Sequence, residues 1–161
     1  MKREIQNAQQ STRLLFVENL RDVKPGYCWY EDNTFSKEII TGKPLKAIVV
    51  LVQYNIIYGD VFLEESCSQA QLGDMLKSLS EKMGQKLCLL SLYSHEMISF
   101  HINEVNAALQ MCGKPIWEGS YWTATEYACH DLWICSHPSR GQAPGGRGSY
   151  ILRPVICMPV E

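Results

Sequence analysis

The chain has 161 residues, of which 46% are hydrophobic and 20% are charged, and its formal net charge is -2. This length suits one globular domain with a sizeable core. The near-neutral charge, with basic residues scattered singly, excludes a sequence-wide basic field of the kind that attracts nucleic acid or an acidic membrane.

The N-terminal segment, residues 1–26, has no clear hydrophobic period and ends at the turn signal Lys24-Pro25-Gly26. It lacks the apolar stretch of a secretory signal, and no apolar run elsewhere approaches a membrane span. We therefore expect no membrane insertion, and we expect synthesis in the cytoplasm. Residues 1–44 are predicted to be an N-terminal arm, and residues 45–161 the domain.

Two apolar runs follow the arm. Residues 46–53 are β-branched and apolar on both faces, which predicts a buried central strand. Residues 56–63 come directly after it, so a hairpin is predicted with its turn near Tyr54-Asn55. The aromatic cluster at residues 27–30 is expected to dock on the same core.

Helical spacing of apolar residues begins next. Residues 68–83 carry one apolar stripe, with a capping box at Ser68 and Gln71 and a left-handed C-terminal position at Gly84. A second helical region is predicted within residues 92–112, with a break near residues 101–103.

After residue 115 the helical periodicity disappears. Short strands are predicted at 120–125, 132–135 and 150–157, and the Gly- and Pro-rich residues 138–149 are expected to form a long loop. The order of elements predicts an α+β fold, with two helices packed on one side of an antiparallel sheet and a long irregular loop region.

A set of short motifs stands in fixed order in the C-terminal half. They are NAAL at 106–109, CG at 112–113, YWTATEY at 121–127, a lone Trp133, and YILRPV at 150–155. This order resembles the C-type-lectin-like domains of bacterial and phage surface proteins that are common in gut Bacteroidetes. The resemblance covers about residues 45–158 and is closest over 103–158. It departs from the family at Leu89-Leu90-Ser91, where Leu-Pro-Ser/Thr is usual, and at Leu152, where valine is common.

The resemblance implies a C-type-lectin-like fold, a ligand-binding face on residues 127–151, and assembly into a phage particle or display on a surface. Within that segment only Trp133 and Gln142 belong to the set Glu, Lys, Gln, Met and Trp, although these types are frequent earlier in the chain. An AAC or AAT codon with randomised adenines cannot encode any of the five. The segment is in this respect similar to the variable proteins of diversity-generating retroelements, and a short polar loop that avoids long side chains is the alternative explanation.

Four residues of these motifs are expected to hold the frame. Trp122 and Trp133 are large apolar side chains on short strands, and each can anchor a sheet layer by burial. Glu126 and Arg153 could form an ion pair that joins two strands.

Several patterns of catalytic or metal-binding residues occur in the C-terminal third, but each lacks a feature that its chemistry requires. Cys129, His130, Cys135 and His137 have zinc-binding side chains but not the spacing of a compact knuckle. Residues 129–131 are Cys-His-Asp, the residue types of a nucleophile, a base and an orienting acid, but consecutive residues rarely form a catalytic triad. The glycines of 143–149 lack a phosphate-loop ending, and residues 133–135 lack calcium ligands. We expect no catalytic residue, no metal and no cofactor.

The sequence therefore predicts a ligand-recognition protein, an adhesin or receptor-binding protein, that is not an enzyme. Its ligand would be a protein or glycan on a cell or virion surface, and the oligomeric state stays open. The predicted contact residues are Tyr127, Ala128, Cys129, His130, Asp131, Cys135, His137, Ser139, Arg140, Gln142 and Arg147. The alternatives are a cysteine-dependent enzyme of related fold and a structural subunit of a virion or pilus. Seven cysteines without paired spacing predict free thiols in a reducing compartment.

Overall fold

A computed structural model describes residues 15–160, which form an α+β arrangement, as predicted. The strands are β1 (Cys28–Tyr30), β2 (Phe35–Ser36), β3 (Leu45–Gln53), β4 (Ile56–Asp60), β5 (Glu65–Ser68), β6 (Gly119–Glu126), β7 (Leu132–His137), β8 (Gln142–Pro144), β9 (Ser149–Leu152) and β10 (Val155–Pro159). The helices are α1 (Gln69–Met83), α2 (Leu92–Ser99) and α3 (Ile102–Met111), with 3-10 turns at Leu20–Asp22 and Ala128–His130. Among these residues, no helix has the combined length and apolarity of a membrane span.

The strands form two sheets, so the single antiparallel sheet expected from the sequence is wrong. The first sheet has the order β10-β4-β3-β1-β2 and the second the order β5-β9-β6-β7-β8. Strand pairs are antiparallel except that β6 and β9 meet in parallel at Tyr121 and Ile151. The pairs β1-β2, β3-β4, β6-β7 and β7-β8 join strands that are consecutive in the chain, whereas β1-β3, β4-β10, β5-β9 and β6-β9 join strands that are not.

The predicted closing strand at 150–157 is two strands in different sheets. β9 pairs with β5 in the second sheet, and β10 pairs with β4 in the first. The break falls at Arg153-Pro154. Because Pro154 has no backbone N–H, it cannot continue a hydrogen-bonded ladder, and the chain leaves one sheet for the other at this point.

Strand β3 is buried on both faces, as its sequence predicted. Ala47 and Val49 pack into a core that contains Leu72 and Leu79 of α1. Ile48 and Val50 pack into a second core that contains residues of α2 and α3. The helices thus cover both faces, and the expectation that they lie on one side of a sheet is wrong, since a strand apolar on both faces needs cover on both.

The helix boundaries follow the sequence signals closely. Helix α1 has Ser68 at its N-cap, where the Gln71 side chain accepts from the Ser68 amide at 3.1 Å, and it ends at Gly84 with φ of 65°. The second helical region is interrupted at Phe100 and His101, so the predicted break is confirmed at His101.

The chain before β3 contributes to the first sheet. β1 pairs with both β2 and β3, and Trp29, Tyr30 and Phe35 are fully buried. The predicted docking of the aromatic cluster is confirmed, because these rings supply part of the core. Residues 1–14 of the predicted arm lie outside the described residues.

Candidate functional site

Trp122 is a buried core residue on which segment 127–151 packs through Gly145 and Tyr150. It is fully buried, its indole N–H donates to the carbonyl of Cys67 at 2.8 Å, and its ring meets Tyr150 edge to face at 5.2 Å. A Cβ atom at Gly145 would lie 2.2 Å from this ring, so only glycine allows the loop to approach so closely. The predicted frame role of Trp122 is consistent with this burial.

Trp133 is half-buried instead of fully buried. It lies near the start of β7, where its ring meets Tyr127 edge to face at 5.0 Å. Tyr127 is itself 45% exposed, so this ring pair reaches the surface. The expectation that Trp133 anchors a sheet layer by burial, as Trp122 does, is therefore corrected.

Arg153 does not pair with Glu126. Its guanidinium is buried and binds both carboxylate oxygens of Asp60, at 3.0 and 2.8 Å, with Glu64 at 3.2 Å. Glu126 lies at the surface, 4.0 Å from exposed His130. A buried guanidinium requires a buried counter-charge, and Asp60 on β4 supplies it, whereas surface Glu126 cannot.

Five of the predicted contact residues lie on one turn, residues 127–131, at the start of β7. Cys129 and His130 have positive φ angles of 64° and 67°, a backbone region that costs energy for residues other than glycine. The side chain of Gln69 holds this turn, donating to the His130 carbonyl at 2.7 Å and accepting from the Leu132 amide at 2.9 Å. No sequence pattern indicates this contact, because Gln69 belongs to the first turn of a helix that is distant in the chain.

Arg147 belongs to the same end of β7. The turn that carries it begins at Gly145, whose amide donates to the Leu132 carbonyl at 2.8 Å. We name Tyr127, Ala128, Cys129, His130, Asp131 and Arg147 the 127–131 surface. All of these side chains are exposed except that of Asp131, which is half-buried.

Three predicted contact residues lie at the other end of β7 and are all exposed: Ser139, Arg140 and Gln142. We name them the 139–142 surface. The Arg140 guanidinium lies over the exposed Phe100 ring, 5.0 Å from its centre, and Gln142 donates to the Glu96 carboxylate. This surface is therefore shared with helix α2, which the sequence did not indicate.

The two surfaces are separated by the length of β7, about 17 Å for six residues at the usual rise. The exposed edge strand β8 runs between them along the side of the second sheet. The predicted face is thus an elongated sheet edge with a turn at each end.

Cys135 and His137 are not part of that edge. They are 1% and 2% exposed, respectively, so the expectation that they contact a ligand is corrected. Two residues apart on a strand, they point to the same side, and here that side is the interior. Burial raises the pKa of Cys135 to about 11, with a further rise from Glu96, so its thiol is not an activated nucleophile.

His137 meets a second buried histidine. His95 of α2 is 1% exposed, and its Nδ1 lies 3.1 Å from His137 Nε2. Trp117 and Tyr121 enclose the pair, with ring centres 5.7–6.3 Å from the nearer imidazoles. Burial lowers the pKa of His95 to about 3, helped by His137, and burial lowers the pKa of His137 to about 4. Both rings are therefore neutral at pH 7.

From the sequence, Cys135 and His137 were considered as zinc ligands, but together with Cys129 and His130, and no metal site was predicted. The available signal was the Cys-Ser-His spacing at 135–137, which places two donors on one side of a strand. His95 could not be found in this way, because it comes from a helix 42 positions away.

A cavity of about 510 Å3 lies elsewhere, between the N-terminal segment and α3. Its lining includes Tyr27, Ile39, His101, Ala108 and Met111. Its lining shares no residue with segment 127–151. Substitutions at this cavity can therefore serve as controls for substitutions on the predicted binding face.

No family model, curated protein or solved structure matches this chain.

Proposed function

We propose that this protein is a ligand-recognition protein of C-type-lectin-like fold that binds a protein or glycan through the 127–131 and 139–142 surfaces. The observation that carries the proposal is the division of segment 127–151. Part of the segment is buried in the core, namely Ile134, Cys135, His137 and Gly145. The exposed side chains of the segment lie along one sheet edge. Side chains at such an edge can change without disturbing the core.

The chemistry of the 127–131 surface supports this role. Tyr127 offers a flat ring with a hydroxyl, and His130, with its side chain 93% exposed, offers a ring with two nitrogens. Arg147 adds a positive charge. Rigid rings combined with hydrogen-bonding atoms give contact area at low entropic cost, as in binding loops. The left-handed backbone at Cys129 and His130 is also typical of ligand clamps.

Residue choice along the edge supports diversification by a retroelement as the origin of the surface. Among the exposed positions of 127–151, Gln142 alone belongs to the five types that randomised AAC or AAT codons cannot encode, and Trp133 is half-buried. The neighbouring DNA provides the test. We expect a reverse-transcriptase gene and a near-copy of the coding segment that differs from it at adenines. Their absence would leave the binding proposal in place and remove the diversification.

A binding experiment tests the surface itself. The purified full chain, made multivalent on streptavidin, would be screened on arrays of glycans and of extracellular bacterial proteins. Binders would be retested with a variant carrying Tyr127→Ala, His130→Ala, Arg140→Ala and Arg147→Ala. A matched control would carry Lys37→Ala, His101→Ala and Glu104→Ala at the 510 Å3 cavity.

We expect the first variant to weaken binding at least tenfold, since a few central residues usually dominate affinity, and the control to bind as the parent does. Loss of binding in the control alone would move the site to the cavity. The absence of any binder on both arrays would count against a recognition role.

A further inference from the structure

Three side chains with metal-binding atoms meet between α2 and β7. They are those of His95, Cys135 and His137, and their candidate ligand atoms all lie within 4.8 Å of one another. The nearest two, His95 Nδ1 and His137 Nε2, are 3.1 Å apart. Two imidazole nitrogens on one tetrahedral zinc ion are about 3.3 Å apart, given Zn–N bonds of about 2.0–2.1 Å. The pair is thus already close to a coordinating spacing.

The hydrogen bonding of the cluster leaves a donor or acceptor unused. His137 Nδ1 is buried and has no partner among the described residues. Buried polar atoms are nearly always satisfied, and an exception calls for an explanation. The backbone of Trp122 accepts a hydrogen bond from His95, which is the usual way in which a metal-binding histidine is oriented.

We propose that His95, Cys135 and His137 form a binding site for a borderline-soft divalent metal ion, with zinc as the principal candidate. Imidazole nitrogen and thiolate sulfur are the ligands that zinc prefers. On binding, Cys135 would release its thiol proton to solvent and form the metal–sulfur bond. The proton that is shared between His95 Nδ1 and His137 Nε2 would move to the unpartnered His137 Nδ1, which leaves both facing nitrogens able to bind the ion.

The cluster has a route to solvent. Cys135 lines a cavity of about 270 Å3 together with Glu96, Met97, Arg140 and Gln142. A metal ion with three protein ligands keeps its fourth position for a solvent molecule or a further ligand. Solvent or a further ligand could reach the cluster from this cavity through Cys135.

Such an ion would link the two elements that carry the 139–142 surface. Glu96 and Phe100 of the α2 region contact Gln142 and Arg140 from one side, and β7 leads into them from the other. An ion that is bound by His95 of α2 and by Cys135 and His137 of β7 would therefore hold the two sides of this surface in one position. The metal site does not depend on the proposed function, because its evidence lies in the interior.

The test is metal binding by the purified full chain, reduced and stripped with a chelator. Zinc would be titrated against a chromophoric competitor, and cobalt would be added alone to read its absorption. We expect one ion per chain and a thiolate-to-cobalt charge-transfer band. Two of the four histidines, His95 and His137, should change their NMR ring signals on adding zinc, and His101 and His130 should not.

Variants separate this cluster from other donors. Cys135→Ser should remove the charge-transfer band, and both Cys135→Ser and His137→Gln should weaken zinc binding by roughly 100-fold. The exposed controls Cys157→Ser and His101→Gln should bind zinc as the parent does. Circular dichroism of each metal-free variant checks folding, and the histidine NMR of the parent protein decides the question if a variant does not fold. Failure of the parent to bind zinc or cobalt, or zinc-dependent changes at His130 in place of His95 and His137, would overturn the proposal.

Discussion

Asn106 shows how one polar side chain of the NAAL motif can hold two elements together. Its amide nitrogen donates to the carbonyl of Trp117 at 3.1 Å, and its oxygen accepts from the Trp117 amide at 2.8 Å. Both backbone groups of a fully buried tryptophan are thereby satisfied, as a neighbouring strand would satisfy them.

Replacing Asn106 by alanine should lower the free energy of unfolding by about 1–3 kcal/mol, because it leaves buried backbone groups unpaired. Asn103→Ala, at an exposed position of the same helix, should change it by less than about 0.5 kcal/mol. Urea denaturation of both variants measures the difference. Equal effects would mean that the two hydrogen bonds contribute nothing beyond helix propensity.

The ion pair of Arg153 and Asp60 is the second residue-scale feature. Both side chains are fully buried, and Arg153 also donates to the carbonyls of Pro115 and Ile116. The Arg-Pro-Val motif thus places a charge where the chain passes between the sheets.

Arg153→Met should destabilise the fold by about 3–5 kcal/mol, because Asp60 would remain buried without its counter-charge. Lys43→Met breaks the surface pair with Asp32, which is 2.8 Å long and partly exposed, and should lower the melting temperature far less, because solvent screens an exposed ion pair. Thermal melts of the two variants compare them. A melting temperature for Arg153→Met close to that of the Lys43 variant would contradict this role of the buried pair.

At the scale of elements, the β3–β4 hairpin was predictable in place but not in conformation. Gln53 pairs with Ile56, which leaves a two-residue turn at Tyr54 and Asn55 with φ angles of 52° and 59°. This is the geometry of a type I′ turn, which favours asparagine or glycine at both positions. Tyr54 is 78% exposed and fits the turn poorly.

Tyr54→Asn should therefore stabilise the protein by about 0.5–1 kcal/mol, because asparagine tolerates the left-handed region better than tyrosine. Tyr93→Asn, which removes a similarly exposed ring from α2, should give no such gain. Chemical denaturation of both variants provides the comparison, and a destabilised Tyr54 variant would refute the assignment of strain to this turn.

At the scale of the whole molecule, the buried histidine pair should make the metal-free protein sensitive to acid. The folded-state pKa values of about 3 for His95 and about 4 for His137 lie below the ordinary value of 6.5. Between those values the unfolded chain binds protons that the folded chain does not. Stability is therefore highest above about pH 6.5 and falls as the pH is lowered towards 4.

The expected loss is up to about 1.4 kcal/mol per pH unit for each histidine. Melting temperatures of the chelator-treated protein between pH 7.5 and 4.5 would measure it. His137→Gln should flatten the profile, whereas His101→Gln, at an exposed position, should leave its slope unchanged. An unchanged slope in the His137 variant would show that the acid sensitivity arises elsewhere.

The sequence by itself determined the features that depend on neighbours along the chain. Local periodicity, which backbone geometry fixes, accounts for the apolar stripe of α1 and for the burial of β3. Local residue signals also mark the caps of α1 at Ser68 and Gly84 and the β3–β4 hairpin. The exposed character of the turn around His130 was also predictable, because its residues follow no core period.

Only the tertiary structure decided which distant residues meet. Arg153 pairs with Asp60 and not with Glu126. Gln69 binds the turn at His130, and His95 lies against Cys135 and His137. Each of these contacts joins residues far apart in sequence. No periodicity encodes such pairings, because they depend on how α1, α2 and the two sheets pack to bury their apolar faces. The same packing placed Cys135 and His137 inside, although their segment was expected to face solvent.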